Sequence, residues 1–394
     1  MDLLLLGPGR ENPRLRRLVE LLHPSCEAGQ AACWLRDDPG LFDAARGQNV
    51  AAIIAHRYWP ELQCELPEDL LARWRALLMS AAIVPMRRCA EARACLAALV
   101  DAGATPVVMR GLWLGEALYP EPGLRPHTDM DLLVPLDRLN EALDALSGLG
   151  YAPVDPLPID LERLKRLVAK GIRSDFSGVC RPGANGLQLS VDLHYALSVV
   201  AYGWWPWTPS PQEVYNRSVP WDFHGVPVRC HDPAMGLLAL CENVLRHALA
   251  REGRGNWLVR LYDIALLAGT LSPADWELLA ADAQRFRLNI PCGLALSTVQ
   301  ANWDTPLPEG LLDRLLTPRA SVAAARHALS RPVFAGLHVR NAILYSACTG
   351  SLPGALAYLA HNAGPGVADV LGRVSRRIKR RSASCRTASQ PLDT

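Results

Sequence analysis

Apolar residues recur at helical spacing through the first hundred positions, in Arg14 to Leu22, Leu41 to His56 and a long Ala-, Leu- and Arg-rich run from Glu68 to Ala102. Pro85 is expected to kink or divide the last of these. After Gly103 the period changes. Thr105 to Met109 reads as a short buried strand, Leu112 to Leu118 as a helix, and Tyr119-Pro120-Glu121-Pro122-Gly123 as a turn. A second strand follows at Asp129 to Val134, then a helix over Leu136 to Leu149, a short strand near Tyr151 and a helix over Ile159 to Lys170. Asp175 to Val179 and Leu187 to His194 read as strands, joined as a hairpin by Arg181-Pro182-Gly183-Ala184-Asn185-Gly186. From Pro233 to about Val374 the helical period returns, broken near prolines and glycines. The pattern predicts an α+β protein: a small mixed sheet with helical regions on both sides. The expected segments are an N-terminal helical region over 1–102, a sheet core over 103–230, a C-terminal helical region over 231–371 and a basic tail over 372–394.

Within the second strand, Arg125-Pro126-His127-Thr128-Asp129-Met130-Asp131-Leu132-Leu133-Val134, side chains alternate faces. Asp129 and Asp131 therefore emerge on one side while Met130, Leu132 and Val134 turn toward a core. Two carboxylates so close repel each other, and a divalent cation relieves the repulsion; hard oxygen donors on a strand edge suit Mg2+ carried in with a nucleoside triphosphate. Metal-assisted phosphoryl transfer calls for further acidic ligands on an adjacent strand. Asp192 supplies one, because in Leu189-Ser190-Val191-Asp192-Leu193-His194 the polar residues Ser190, Asp192 and His194 share a face. Each fragment alone is also compatible with a solvated strand entry or a polar edge strand. Upstream, Met109-Arg110-Gly111-Leu112 places a glycine between strand and helix, where backbone N–H groups can approach a phosphate and Arg110 can pair with its oxygens. A plain strand-to-helix turn is the other reading. Arg125 likewise has two: a phosphate contact or a surface salt bridge.

The chain has 394 residues, half of them hydrophobic and 20% charged, which fits a globular protein of two or three domains. Net charge is +2, but seven basic and no acidic residues fall between Gly372 and Arg386, so the rest holds 34 basic against 39 acidic residues and stands near −5. No broad nucleic-acid surface is expected; the tail is read as a frayed terminus, or as a weak contact for anionic lipid or an acidic partner. Eleven cysteines are scattered without Cys-x-x-Cys spacing, which suits a reducing cytoplasm. Neither a signal peptide nor a membrane span is expected, because Gly7-Pro8-Gly9 breaks the apolar start and Gly350, Pro353 and Gly354 break the apolar stretch near Ala342 to Ala360.

The runs Val107-Val108-Met109-Arg110-Gly111, Leu118-Tyr119-Pro120 through Leu132-Leu133-Val134, and Val191-Asp192-Leu193-His194-Tyr195 resemble an uncharacterised bacterial nucleotidyltransferase family found in ribosomal-peptide and exopolysaccharide gene clusters. The family belongs to the DNA polymerase beta-like nucleotidyltransferase superfamily, and the likeness covers roughly 40–270. The resemblance implies a nucleotidyltransferase core with Asp129, Asp131 and Asp192 as ligands of two Mg2+ ions and Arg110-Gly111 at the nucleotide phosphates. The reaction implied moves a nucleoside monophosphate from an NTP to an acceptor and releases pyrophosphate. The family usually has Lys-Gly where this chain has Arg110-Gly111, and two helical histidines and an Asp where it has Asn243, His247 and Asp263. His194 is expected to order a phosphate, to tune Asp192 or to pack behind it. Tyr202, Trp204, Trp205 and Trp207 suit base stacking, an acceptor peptide or a domain seam. The competing reading is a non-catalytic peptide- or protein-binding factor built on a degenerate core. A third is a peripheral membrane role for the late helices and tail.

Overall fold

The computed structural model describes residues 12–127, 129–153, 162, 166, 175–180, 190–194, 209–249, 257–330 and 337–350. Five helices come first: α1 (Pro13–Leu22), α2 (Ala28–Asp37), α3 (Gly40–Gly47), α4 (Ala51–Glu65) and α5 (Glu68–Asp101). Asn12 caps α1 by accepting from the Arg14 N–H at 2.9 Å. The single helix expected over Leu41 to His56 is two. Asn49 adopts φ +54°, a left-handed conformation that ends α3, and the Gln48 side chain accepts from the Leu258 N–H at 3.1 Å, tying the corner to a distant helix. Helix α2 was not expected; its apolar positions are too few to stand out until Ala31, Ala32 and Leu35 are buried against α4. Pro85 does not divide α5, which runs unbroken for 34 residues.

The sheet is built from β1 (Val107–Met109), β2 (Asp129–Leu133), β3 (Ala152–Pro153), β4 (Asp175–Cys180), β5 (Ser190–His194), β6 (Val219–Phe223) and β7 (Val226–Cys230). Their order is β3-β4-β5-β2-β1-β7-β6. Pairings β1·β7 and β2·β5 are parallel and the others antiparallel, so the sheet is mixed, as expected. Helix α6 (Arg110–Leu118) follows β1 directly, and α7 (Leu139–Gly148) follows β2 after a 3-10 turn over Leu136–Arg138. The hairpin β6–β7 was not foreseen, although its turn, His224-Gly225 with φ +48° and +85°, is the left-handed pair that a two-residue hairpin loop needs. It extends the sheet beyond β1, which lies two strands in from that edge.

Helix α8 (Pro211–Arg217) precedes this hairpin, and α9 (Pro233–Leu249) and α10 (Trp257–Ala268) follow it, leading into a helical C-terminal region through Leu337–Thr349. That region packs back on the N-terminal helices, where the Trp303 indole N–H donates to the Val19 carbonyl at 3.1 Å. No described helix is long and apolar enough to cross a membrane. The basic tail, the Tyr202 to Trp207 cluster, the turn after β4 and most of the helix expected over Ile159 to Lys170 lie outside the described residues.

Candidate active site

Strand β1 is buried along its length, and it hands the chain to α6 at Arg110, which takes φ +50°. That conformation is unfavourable for a residue with a Cβ and persists only where surrounding contacts fix it. One such contact is at hand: the Arg110 guanidinium donates to Asp131 Oδ1 at 2.8 Å. Gly111 is required by space rather than by φ. A Cβ there would lie 2.7 Å from Arg125 Nη1 and 2.8 Å from the His127 Cβ. The turn between β1 and α6 is therefore pressed against the segment leading into β2.

In β2 and β5 the register sets Asp131 beside Asp192, Asp129 beside Ser190 and Leu133 beside His194. Neighbouring strands lie roughly 4.8 Å apart, so two carboxylates that point the same way from paired positions stand side by side. Asp131 is 8% exposed and His194 2%. His194 Nε2 lies 2.7 Å from Asp131 Oδ1, so that single oxygen receives both the imidazole and Arg110. The histidine thereby orients Asp131. Ligand atoms of Asp131, Asp192 and His194 all fall within 4.8 Å of one another. This donor set fits a divalent cation: two hard carboxylates suit Mg2+, and the added imidazole also suits Mn2+. Asp129 flanks the trio one step back along β2. Burial and the neighbouring Asp131 charge raise its pKa, while Arg110 and Arg125 pull it down.

These residues open on a cavity of about 620 Å³, into which Asp129, Asp131, Asp192, His194, Arg110, Gly111 and Arg125 all face. Residues that sequence reasoning missed share it. Arg46, Arg88 and Arg260 bring the lining arginines to five, and Ala51, Ala52, Leu77, Ala81 and Val84 make an apolar wall from α4 and α5. Nothing local marks Arg88 or Arg260 among the other helical arginines; only packing selects them. Arg88 donates to the His127 carbonyl, and burial draws its pKa down although Asp129 and Glu91 oppose this. Arg260 donates to Asn243 Oδ1. An arginine-rich cavity that also holds a carboxylate cluster has the charge pattern of a site for a polyanion and its counter-cation.

Arg125 is not a surface salt bridge but a buried one. It donates to Asp263, which is fully buried, through Nη2 at 2.7 Å and Nε at 3.3 Å to each oxygen; Tyr119 adds its hydroxyl at 2.7 Å. Burial disfavours the Arg125 charge, but Asp263 and Tyr119 outweigh it and raise its pKa. Asp263 thus holds Arg125 at the cavity wall. His247 lies in α9, but its side chain is outside the described residues.

A model of an uncharacterised nucleotidyltransferase family matches residues 36–304, about two thirds of the chain. The protein belongs to that family and is an enzyme of the nucleotidyltransferase class, with a nucleoside triphosphate as substrate. No curated protein matches it.

Proposed function

We propose that this family member moves a nucleoside monophosphate from an NTP to an acceptor hydroxyl or amine and releases pyrophosphate, with Asp129, Asp131 and Asp192 holding two Mg2+ ions. The observation that carries this reading is the pairing of Asp131 with Asp192 across β2 and β5, beside His194, in an arginine-lined cavity. When bound, such ions neutralise triphosphate charge and lower the pKa of the attacking group.

The chain's own residues supply the positioning. His194, through its contact with Asp131, fixes the rotamer of a metal-ligating carboxylate. Arg110 and the backbone at Gly111 meet the triphosphate at the start of α6, where N–H groups favour anions. Arg125, steadied by Asp263, presents a rigid cation to the same oxygens. Asp129 must ionise to act as a ligand, and its raised pKa is reversed once a dication is near. Catalysis then rests on alignment and charge placement. Helices α9 and α10, which contribute Asn243, Val259 and Arg260 to the wall, are proposed to face the acceptor.

The test is a screen of labelled NTPs against the wild-type chain and Asp131→Asn, reading metal-dependent incorporation and pyrophosphate. Incorporation by wild type and its loss in a folded Asp131→Asn protein is the expected result. Labelling that survives the substitution would overturn the assignment.

A further inference from the structure

We propose that Cys89, Glu116 and His224, which lie outside the lining of the carboxylate cavity, form a second metal site, for a borderline divalent transition ion with Zn2+ foremost. Their ligand atoms, one Sγ, one carboxylate oxygen and one imidazole nitrogen, all lie within 4.8 Å of one another. The three come from α5, α6 and the β6–β7 turn, with no two close in sequence, which is why Cys spacing gave no sign of a site.

Tetrahedral Zn2+ with bonds of about 2.0 to 2.3 Å sets its ligand atoms roughly 3.3 to 3.6 Å apart. His224 Nε2 and Glu116 Oε2 already stand 3.3 Å apart, so closing the site asks only for movement of the Cys89 sulfur. His224 is held from three directions. Its backbone takes φ +48° beside Gly225, its carbonyl accepts from Arg93 Nε at 3.0 Å, and its ring packs edge-on to Phe223 at 4.7 Å. A partly buried thiol, a mostly buried carboxylate and a half-exposed imidazole leave one side open, where solvent supplies a fourth ligand.

Charge also closes. Thiolate and carboxylate together carry −2 against the +2 of the ion, the imidazole stays neutral, and Arg93 is engaged with the His224 carbonyl. Binding forms the metal–sulfur bond and releases the Cys89 proton to buffer, with no change of oxidation state. Burial and then Glu116 raise that thiol's pKa, although Arg93 opposes them. Soft sulfur with imidazole selects Zn2+ or Co2+ over Mg2+, so this site is chemically separate from the carboxylate cluster. A metal here would tie α5, one residue from Arg88, to α6, which starts at Arg110 and Gly111. Its effect would be to stiffen α6 and the turn at its start.

The test is Co2+ titration of the chelator-treated, reduced full-length chain, read by the thiolate-to-cobalt charge-transfer absorption. This readout does not depend on the proposed transferase reaction, because the carboxylate cluster contains no sulfur. One equivalent should produce the band, Cys89→Ala should abolish it, and Cys64→Ala, an exposed control, should leave it. His224→Asn keeps a residue that tolerates positive φ, and should weaken Co2+ binding at least about 10-fold while the fold, checked by circular dichroism, is retained. A band that survives Cys89→Ala, an affinity unmoved by His224→Asn, or no band in wild type would overturn the site.

Discussion

Two arginine–aspartate pairs flank the same cavity and have opposite characters. Asp263 is fully buried with Arg125 and Tyr119 sharing its oxygens and no second carboxylate described beside it. Asp131 also has an arginine, but Asp192 stands next to it, Asp129 two residues away, and one oxygen is shared between Arg110 and His194. The first is a neutralised pair that stabilises the fold. The second is a concentration of like charge that, on the proposed reading, a bound cation balances. On that reading the same chemical groups serve structure or reaction according to whether their charge is balanced within the protein.

The sharpest way to break this contrast is Asp131→Asn. Transfer activity should fall roughly a thousandfold, about 4 kcal/mol in barrier, while the melting temperature falls only slightly, because the Arg110 and His194 contacts given up at Asp131 are offset by relieved repulsion from Asp129 and Asp192. Asp263→Asn should do the reverse first: it leaves the Arg125 charge buried without its counter-ion, and denaturant unfolding should show a loss of about 3 kcal/mol or more. A pair of variants with equal effects on melting would erase the distinction. Gly111→Ala tests the junction between the two regions. Its methyl group meets Arg125, which Asp263 prevents from moving, and the His127 Cβ, so apparent NTP affinity should drop about tenfold or more, about 1.4 kcal/mol, despite alanine's better helix propensity.

A smaller effect is expected from pH. Burial first, and then nearby arginines, lower the pKa of His127 to about 4 and of His231 to about 3. The unfolded chain binds these protons below about pH 6.5, so the folded state holds its full advantage above that value and loses it as pH falls toward 4. Urea unfolding between pH 7 and 4.5 should show stability falling with acid, and His231→Phe should flatten the slope. An unchanged slope would mean that this imidazole takes up its proton in the folded state.

Much of the fold was written in local pattern. The period changes at Gly103 and Pro233 marked the passage from helices to sheet and back, and Asp129 and Asp131 were placed on one face by alternation alone. Other features carried weak local signals. The β6–β7 hairpin rests on a His-Gly turn, and α2 shows its apolar face only once packed. Arg88 and Arg260 had no signal at all, since their role depends on where their helices are laid.

The sequence by itself determined which carboxylates share a strand face and where a glycine must admit close backbone approach, because a two-residue period and the absence of a Cβ are local properties. Only the tertiary structure decided that Asp131 stands beside Asp192, that Arg125 is claimed by Asp263 rather than left free, and that Cys89, Glu116 and His224 meet. Those are distances between segments tens to more than a hundred residues apart. They are set by strand register and helix packing, which the burial of the whole core fixes at once.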